Sequence, residues 1–112
     1  MVAHCSGNNR VLNKLKNKNL KIIILDFKSI TEKNYLKKID TFFKCRFDAY
    51  VNLIGYIDNK SLKNTSLKNL FEIFKINTFL PLLIMSKLIG IMSKNSYGRI
   101  LNCSSIGVKF GG

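Results

Sequence analysis

Acidic residues are scarce in this chain. Six Asp and Glu stand against nineteen Lys and Arg in 112 residues, a formal net charge of +13. Such a balance favours polyanions: nucleic acid, an anionic membrane surface, or a phosphate-bearing ligand. The lysines are dispersed and interleaved with Asn rather than gathered on one stretch, so composition explains them and no specific nucleic-acid partner is expected. Cysteine is limited to Cys5, Cys45 and Cys103. An odd number of distant thiols excludes a disulfide framework and a zinc knuckle, and no metal site is expected. Reduced, partly buried thiols in a cytoplasmic protein fit better. A long apolar run is also missing. The greasiest stretch, Phe79 to Met92, is interrupted by Lys87 and falls short of the ~20 residues that a bilayer demands. No charged start precedes an apolar run with a small-residue cleavage site, so neither a signal peptide nor a membrane partner is expected.

Hydrophobic residues make up 46% of the chain, which places it among globular rather than disordered sequences. One domain spanning 1–112 is expected from the length. Val2 to Cys5 reads as a short strand stopped by Ser6-Gly7-Asn8-Asn9. Asn9 can cap a helix over Arg10 to Lys18, with Val11, Leu12 and Leu15 on one side. Leu20 to Leu25 is a β-branched run, ended by Asp26, that reads as a strand buried on both faces. A second helix starts near Thr31, with Tyr35, Leu36, Ile39 and Phe42 or Phe43 at helical spacing. Ala49 to Ile54 is a third strand, closed by Gly55, and a polar connection follows through Asn64. From Ser66 to Lys94 the pattern Leu70, Ile73, Phe74, Asn77, Pro81, Ile84, Leu88, Ile91 marks one helix face. Pro81 removes a backbone donor there, which predicts a bend near Asn77. Arg99 to Cys103 is the fourth strand.

The order β-α-β-α-β-α-β predicts an α/β fold: a partial, Rossmann-like parallel sheet covered by helices. Sheets of that kind bind ligands at the carboxyl ends of their strands. The residues to read are therefore Ser6, Gly7 and Asn8, then Asp26 and Phe27, then Asn52 and Gly55, and finally Ser104 and Ser105.

Asp48-Ala49-Tyr50-Val51-Asn52-Leu53-Ile54-Gly55 resembles the D-x-L-V-N-N-A-G strand of the short-chain dehydrogenase/reductase family. Gly98-Arg99-Ile100-Leu101-Asn102-Cys103-Ser104-Ser105 resembles its G-R-I-V-N-I-S-S strand. Asn77 follows Gly55 by 22 residues and Ser105 follows Asn77 by 28, similar to the spacing of the catalytic Asn and Ser in 3-oxoacyl-acyl-carrier-protein reductases. Leu25-Asp26-Phe27 resembles the D-V step that ends the family's third strand. The resemblance covers nearly the whole chain, as an interior piece corresponding to strands 2 to 5. The family's T-G-x-x-x-G-x-G loop has no counterpart before Val2, and its Tyr-x-x-x-Lys pair would fall beyond Gly112. Leu53 and Ile54 also replace the second Asn and the Ala of N-N-A-G.

What this implies is ketone/alcohol redox with a nicotinamide cofactor. Ser105 would steady a substrate carbonyl and Asn77 would join a water relay. Asp26 and Phe27 would lie at the adenine, while Asn52, Gly55, Ser6 and Asn8 would lie near the cofactor. Tyr35, Tyr50, Tyr56 and Tyr97 fall on the wrong elements to stand in for the family's Tyr. NADP is favoured over NAD because no acid precedes Asp26, whereas Ser6, Asn8 and Arg10 suit a 2′-phosphate. The partner is then a small-molecule carbonyl or alcohol, and the parent enzyme is expected to be a homo-oligomer. With strand 1 absent, the first and third strands of this chain should be left unpaired or newly paired. By itself the 112-residue chain should be inactive. Alternatives are a piece of an extended-branch sugar-nucleotide epimerase or dehydratase, and a non-catalytic basic fragment that binds nucleic acid.

Overall fold

The computed structural model describes all residues except Asn8, Asn9, Lys16, Asn17, Thr41, Phe42, Ile106, Gly111 and Gly112, and of Val11, Leu12 and Leu36 only the backbone. The cap expected at Asn9 and the apolar positions Val11, Leu12, Leu36 and Phe42 therefore lie outside what is described. The chain divides into two compact units, Met1–Cys45 and Arg46–Gly112.

In the first unit, β1 (Val2–Cys5) and β2 (Lys21–Ile24) pair in parallel with Val2 opposite Lys21. Between them α1 spans Arg10–Lys14, shorter than the helix the sequence predicts. Asp26 then caps a 3-10 turn at Phe27–Ser29, and α2 covers Tyr35–Ile39. The second helix starts after Thr31 because the Asn34 side chain accepts from the Thr31 amide at 2.8 Å, forming a turn first. Phe27, Ile30 and Ile39 are buried here.

In the second unit, β3 (Ala49–Asn52) pairs in parallel with β4 (Arg99–Asn102), Asn52 standing opposite Asn102. Each strand is a residue or two shorter than its apolar run. Strand pairing thus stays within each unit: β1 with β2, and β3 with β4. Within each pair the strands run parallel, as expected. The expectation of strands buried on both faces is not met. Lys21 and Ile24 of β2 are exposed, as are all four residues of β4. A two-strand ladder has free edges and too few neighbours to cover both faces.

A continuous helical stretch of 28 residues, Leu67–Lys94, leads from the first of these strands to the second. It consists of α3 (Leu67–Phe74), a π-turn (Lys75–Phe79) and α4 (Leu80–Lys94). Ser66 starts it with a capping box in which Asn69 takes the reciprocal role. The π-turn falls where Pro81 predicts a disturbance. Pro81 has no N–H for the Asn77 carbonyl, and the Leu80 amide reaches back five residues to the Lys75 carbonyl. The wider turn changes which residues face inward. Ile76, Leu80, Pro81, Ile84, Leu88 and Met92 are buried, whereas Leu70 and Phe74, predicted on the core face, are exposed. By length and composition alone this helix could cross a membrane, a test that the core helices of soluble proteins also pass. Its carboxyl end closes with a Schellman motif: Tyr97 N–H bonds the Met92 carbonyl, and Ser96 adopts a φ of 52°. Gly98 follows because a Cβ there would run into the Met92 side chain. A last short helix, α5 (Gly107–Phe110), was not foreseen.

Candidate functional site

The sequence-predicted residues fall into one group in each unit. In the first, Ser6 is an exposed bend residue just past β1, and Asn8 lies outside the described residues. Asp26 is exposed past β2. Its Oδ1 accepts from the Lys28 amide at 3.0 Å and its carbonyl accepts from the Ser29 hydroxyl at 2.7 Å, so it acts as a cap. Phe27 is buried and stacks on His4, ring centroids 4.6 Å apart. His4 Nε2 donates to the Leu25 carbonyl at 2.6 Å, tying β1 to the end of β2. His4 carries no functional role in the sequence reading, and its part here is structural.

In the second unit, Asn52 ends β3 with its side chain buried (8% exposed). Its Nδ2 donates to Asn102 Oδ1 at 3.1 Å. Its Oδ1 accepts from the Ile54 amide at 3.2 Å and from the Tyr50 hydroxyl at 3.4 Å. Asn102 in turn donates weakly to Met85 Sδ at 3.5 Å. The Asn52 amide is thus engaged within the protein and locks the two strand ends together. Burial pushes the Tyr50 phenol above its usual pKa, because the phenolate would lose hydration there.

Three residues past Asn52, Gly55 leaves open space: a Cβ built there meets nothing within 4 Å. Asn77 sits in the π-turn, and its amide grips Tyr56, the residue after that glycine, at both backbone atoms. Oδ1 accepts from the Tyr56 amide at 2.7 Å, and Nδ2 donates to the Tyr56 carbonyl at 2.8 Å. The Tyr56 hydroxyl reaches Glu72 Oε2 at 3.4 Å. The strand end at Gly55 is therefore fastened to the long helix through one asparagine. Ser105, exposed beyond β4, accepts from the Gly107 amide through Oγ at 3.2 Å, and its carbonyl accepts from the Val108 amide at 3.1 Å. No hydrogen bond joins Ser105 to Asn77 among the described residues.

Sequence reasoning missed Tyr56, Asn102 and Tyr50 as members of these networks. Asn102 was findable, since Asn52 and Asn102 each stand three residues past the start of their strands. Tyr56 carried no signal, because its backbone rather than its side chain is what Asn77 holds. No group of three or more His, Cys, Asp or Glu that could hold a metal occurs among the described residues.

No family model and no curated protein matches the chain. Solved structures do. A short-chain dehydrogenase from Streptomyces avermitilis aligns over 96% of this chain with a TM-score of 0.75 at 21% identity. A 4-hydroxyisoleucine dehydrogenase mutant, solved with NADH and succinate, aligns over 96% with a TM-score of 0.75 at 18% identity. Serine dehydrogenase from Escherichia coli aligns over 98% with a TM-score of 0.66 at 18% identity. This chain spans 40%, 46% and 56% of those three chains respectively. It has the fold of the short-chain dehydrogenases over nearly its whole length.

Proposed function

We propose that this chain is part of a nicotinamide-dependent oxidoreductase that interconverts a small-molecule ketone and an alcohol. The observation that carries the reading is the Asn77 clamp. The residue singled out by the resemblance lies at an irregular turn of the long helix and grips the backbone just past Gly55, next to open space.

The groups available to a cofactor are the exposed Asp26 carboxylate and the open backbone at Gly55. The Phe27 ring is buried and the Asn52 amide is engaged within the protein, so neither is free for cofactor contact. When bound, the nicotinamide supplies hydride transfer. Ser105, exposed at the end of β4, would donate a hydrogen bond to the substrate carbonyl. Asn77 would keep the Gly55–Tyr56 backbone in place beside it. NADP is favoured over NAD, because no acid precedes Asp26 while Ser6 and Arg10 follow β1. The setting is cytoplasmic, in keeping with three free thiols.

Titration of the 112-residue chain with NADPH, followed by amide chemical shifts, tests this. Weak binding in the millimolar range is expected, with shifts at Ser6, Asp26 and Gly55 and smaller shifts with NADH. No shift at those amides, or micromolar binding elsewhere, overturns the reading. The chain alone should not reduce ketones, since no Tyr-x-x-x-Lys follows Ser105; the one such spacing in the chain, Tyr56 to Lys60, precedes the long helix. Turnover that disappears in Ser105→Ala would show that expectation to be wrong.

A further inference from the structure

The line of hydrogen bonds at the ends of β3 and β4 stops at a sulfur. The Tyr50 hydroxyl donates to Asn52, Asn52 donates to Asn102, and Asn102 Nδ2 donates to Met85 Sδ at 3.5 Å. β3, β4 and α4 meet in that line. Its last step is its weakest, because a thioether is a poor acceptor. The three methionines of the chain stand in three different settings. Met1 is 79% exposed at the amino terminus. Met92 is 5% exposed, and its sulfur lies against Gly98, where a single added carbon would collide with it. Met85 is partly exposed, and the Asn102 that faces its sulfur is exposed. Met85 thus combines access from solvent with a hydrogen-bond donor already directed at the sulfur.

We propose that Met85 is a reversible oxidation site whose sulfoxide is held by Asn102. The oxidant is a hydroperoxide. A sulfur lone pair takes the terminal peroxide oxygen, and the O–O bond breaks as the S–O bond forms. The proton of that oxygen passes to the leaving oxygen, which departs as an alcohol, or as water from hydrogen peroxide. Sulfur loses two electrons and the peroxide gains them. The product carries a polar oxygen in place of a weak acceptor. In an apolar setting that oxygen would disrupt packing, whereas here Asn102 Nδ2 can donate to it. The weakest link of the line becomes a strong one, and α4 is tied more firmly to the end of β4. Asn102 also accepts from Asn52, and Asn52 accepts from the Ile54 amide, so the change is felt one strand away. Methionine sulfoxide is reduced enzymatically, which makes the step a switch. The inference rests on this network alone and does not depend on the oxidoreductase reading.

Treatment of the full 112-residue chain with hydrogen peroxide, read by peptide mass spectrometry, tests it. Met85 sulfoxide should form on the order of tenfold faster than Met92 sulfoxide, with helical circular dichroism unchanged. The side-chain amide protons of Asn102 and the backbone amide of Ile54 should shift, and methionine sulfoxide reductase should restore both. Met85→Leu should abolish those shifts under peroxide, although Met1 still oxidises. Asn102→Ala should leave Met85 open to oxidation and remove the peroxide-dependent shift at Ile54. Should Asn102→Ala unfold, the Met85→Leu comparison still decides. Equal rates at Met85 and Met92, loss of helix on oxidation of Met85, or Met85 sulfoxide with the Asn102 side chain unshifted overturns the proposal. So does a shift at Ile54 that persists in folded Asn102→Ala.

Discussion

β1–β2 and β3–β4 are both parallel ladders with four residues in each strand, yet their carboxyl ends are closed by different chemistry. At the first, Phe27 stacks on His4, and His4 holds the Leu25 carbonyl. At the second, amides do the work: Asn52 holds Asn102, and Asn77 holds Tyr56. Ring burial is strong but directionless, so it stabilises without fixing a backbone to a fraction of an ångström. Paired amide bonds contribute less, but they specify both distance and direction. The end that carries Gly55 and Ser105 is the one held by amides. Placing a reacting group demands geometry more than it demands stability.

That contrast can be broken from its strong side first. Phe27→Ala removes a buried ring from the first unit and should cost about 3–4 kcal/mol in chemical denaturation. Amide shifts in the second unit should stay largely in place. Asn77→Ala should cost less, about 1–2 kcal/mol for two lost hydrogen bonds. Its signature is local: hydrogen exchange at the Tyr56 amide should accelerate out of proportion to the loss of stability, and a uniform acceleration would deny the clamp. A double-mutant cycle on Asn52→Ala and Asn102→Ala should give a coupling of about 1 kcal/mol, whereas additivity would mean the amide pair is incidental.

The smallest effect sharpens the comparison through pH. Burial raises the Tyr50 phenol above the usual value of 10.0 in the native chain, so the folded state holds that proton more tightly than the unfolded state. The stability this contributes is fully present below the unfolded value and is lost as pH rises through the native one. Unfolding free energy should therefore fall with pH above about 10, and Tyr50→Phe should flatten that alkaline limb.

Strand positions and directions were legible from β-branched runs bounded by turn residues, as at Ile22–Ile24 and Tyr50–Asn52. The long helix was legible from Ser66 to Lys94, with its irregularity near Asn77, because proline acts locally and by a known rule. Its inward face was not. Leu70 and Phe74 fit the predicted stripe, but the π-turn breaks the periodicity on which that prediction rests. Asn77 lies at the irregularity of the long helix and Ser105 past the end of β4, the positions in the fold that the sequence indicated. The partners of Asn77 were out of reach, because a backbone contact 21 residues away leaves no mark in side-chain pattern. Asp26 as a cap was readable from its place before a turn, while the burial of Phe27 depended on His4 across the ladder.

The π-turn at Lys75–Phe79 holds one residue more than an α-helix needs to cover the same span. That surplus makes the helix tolerant of a change in length at this one point. Deleting Thr78 would remove the surplus residue and leave Pro81 as the one missing donor, with the same capping box at one end and the same Schellman closure at the other. The two halves would however be turned against each other by about 100°, the angular step of one residue. Asn77 could then face Tyr56, or Leu80, Ile84 and Leu88 could face the interior, but a straight helix could not satisfy both at once. The extra residue is what lets one helix serve a hydrogen-bonding address and a packing address that differ in angle.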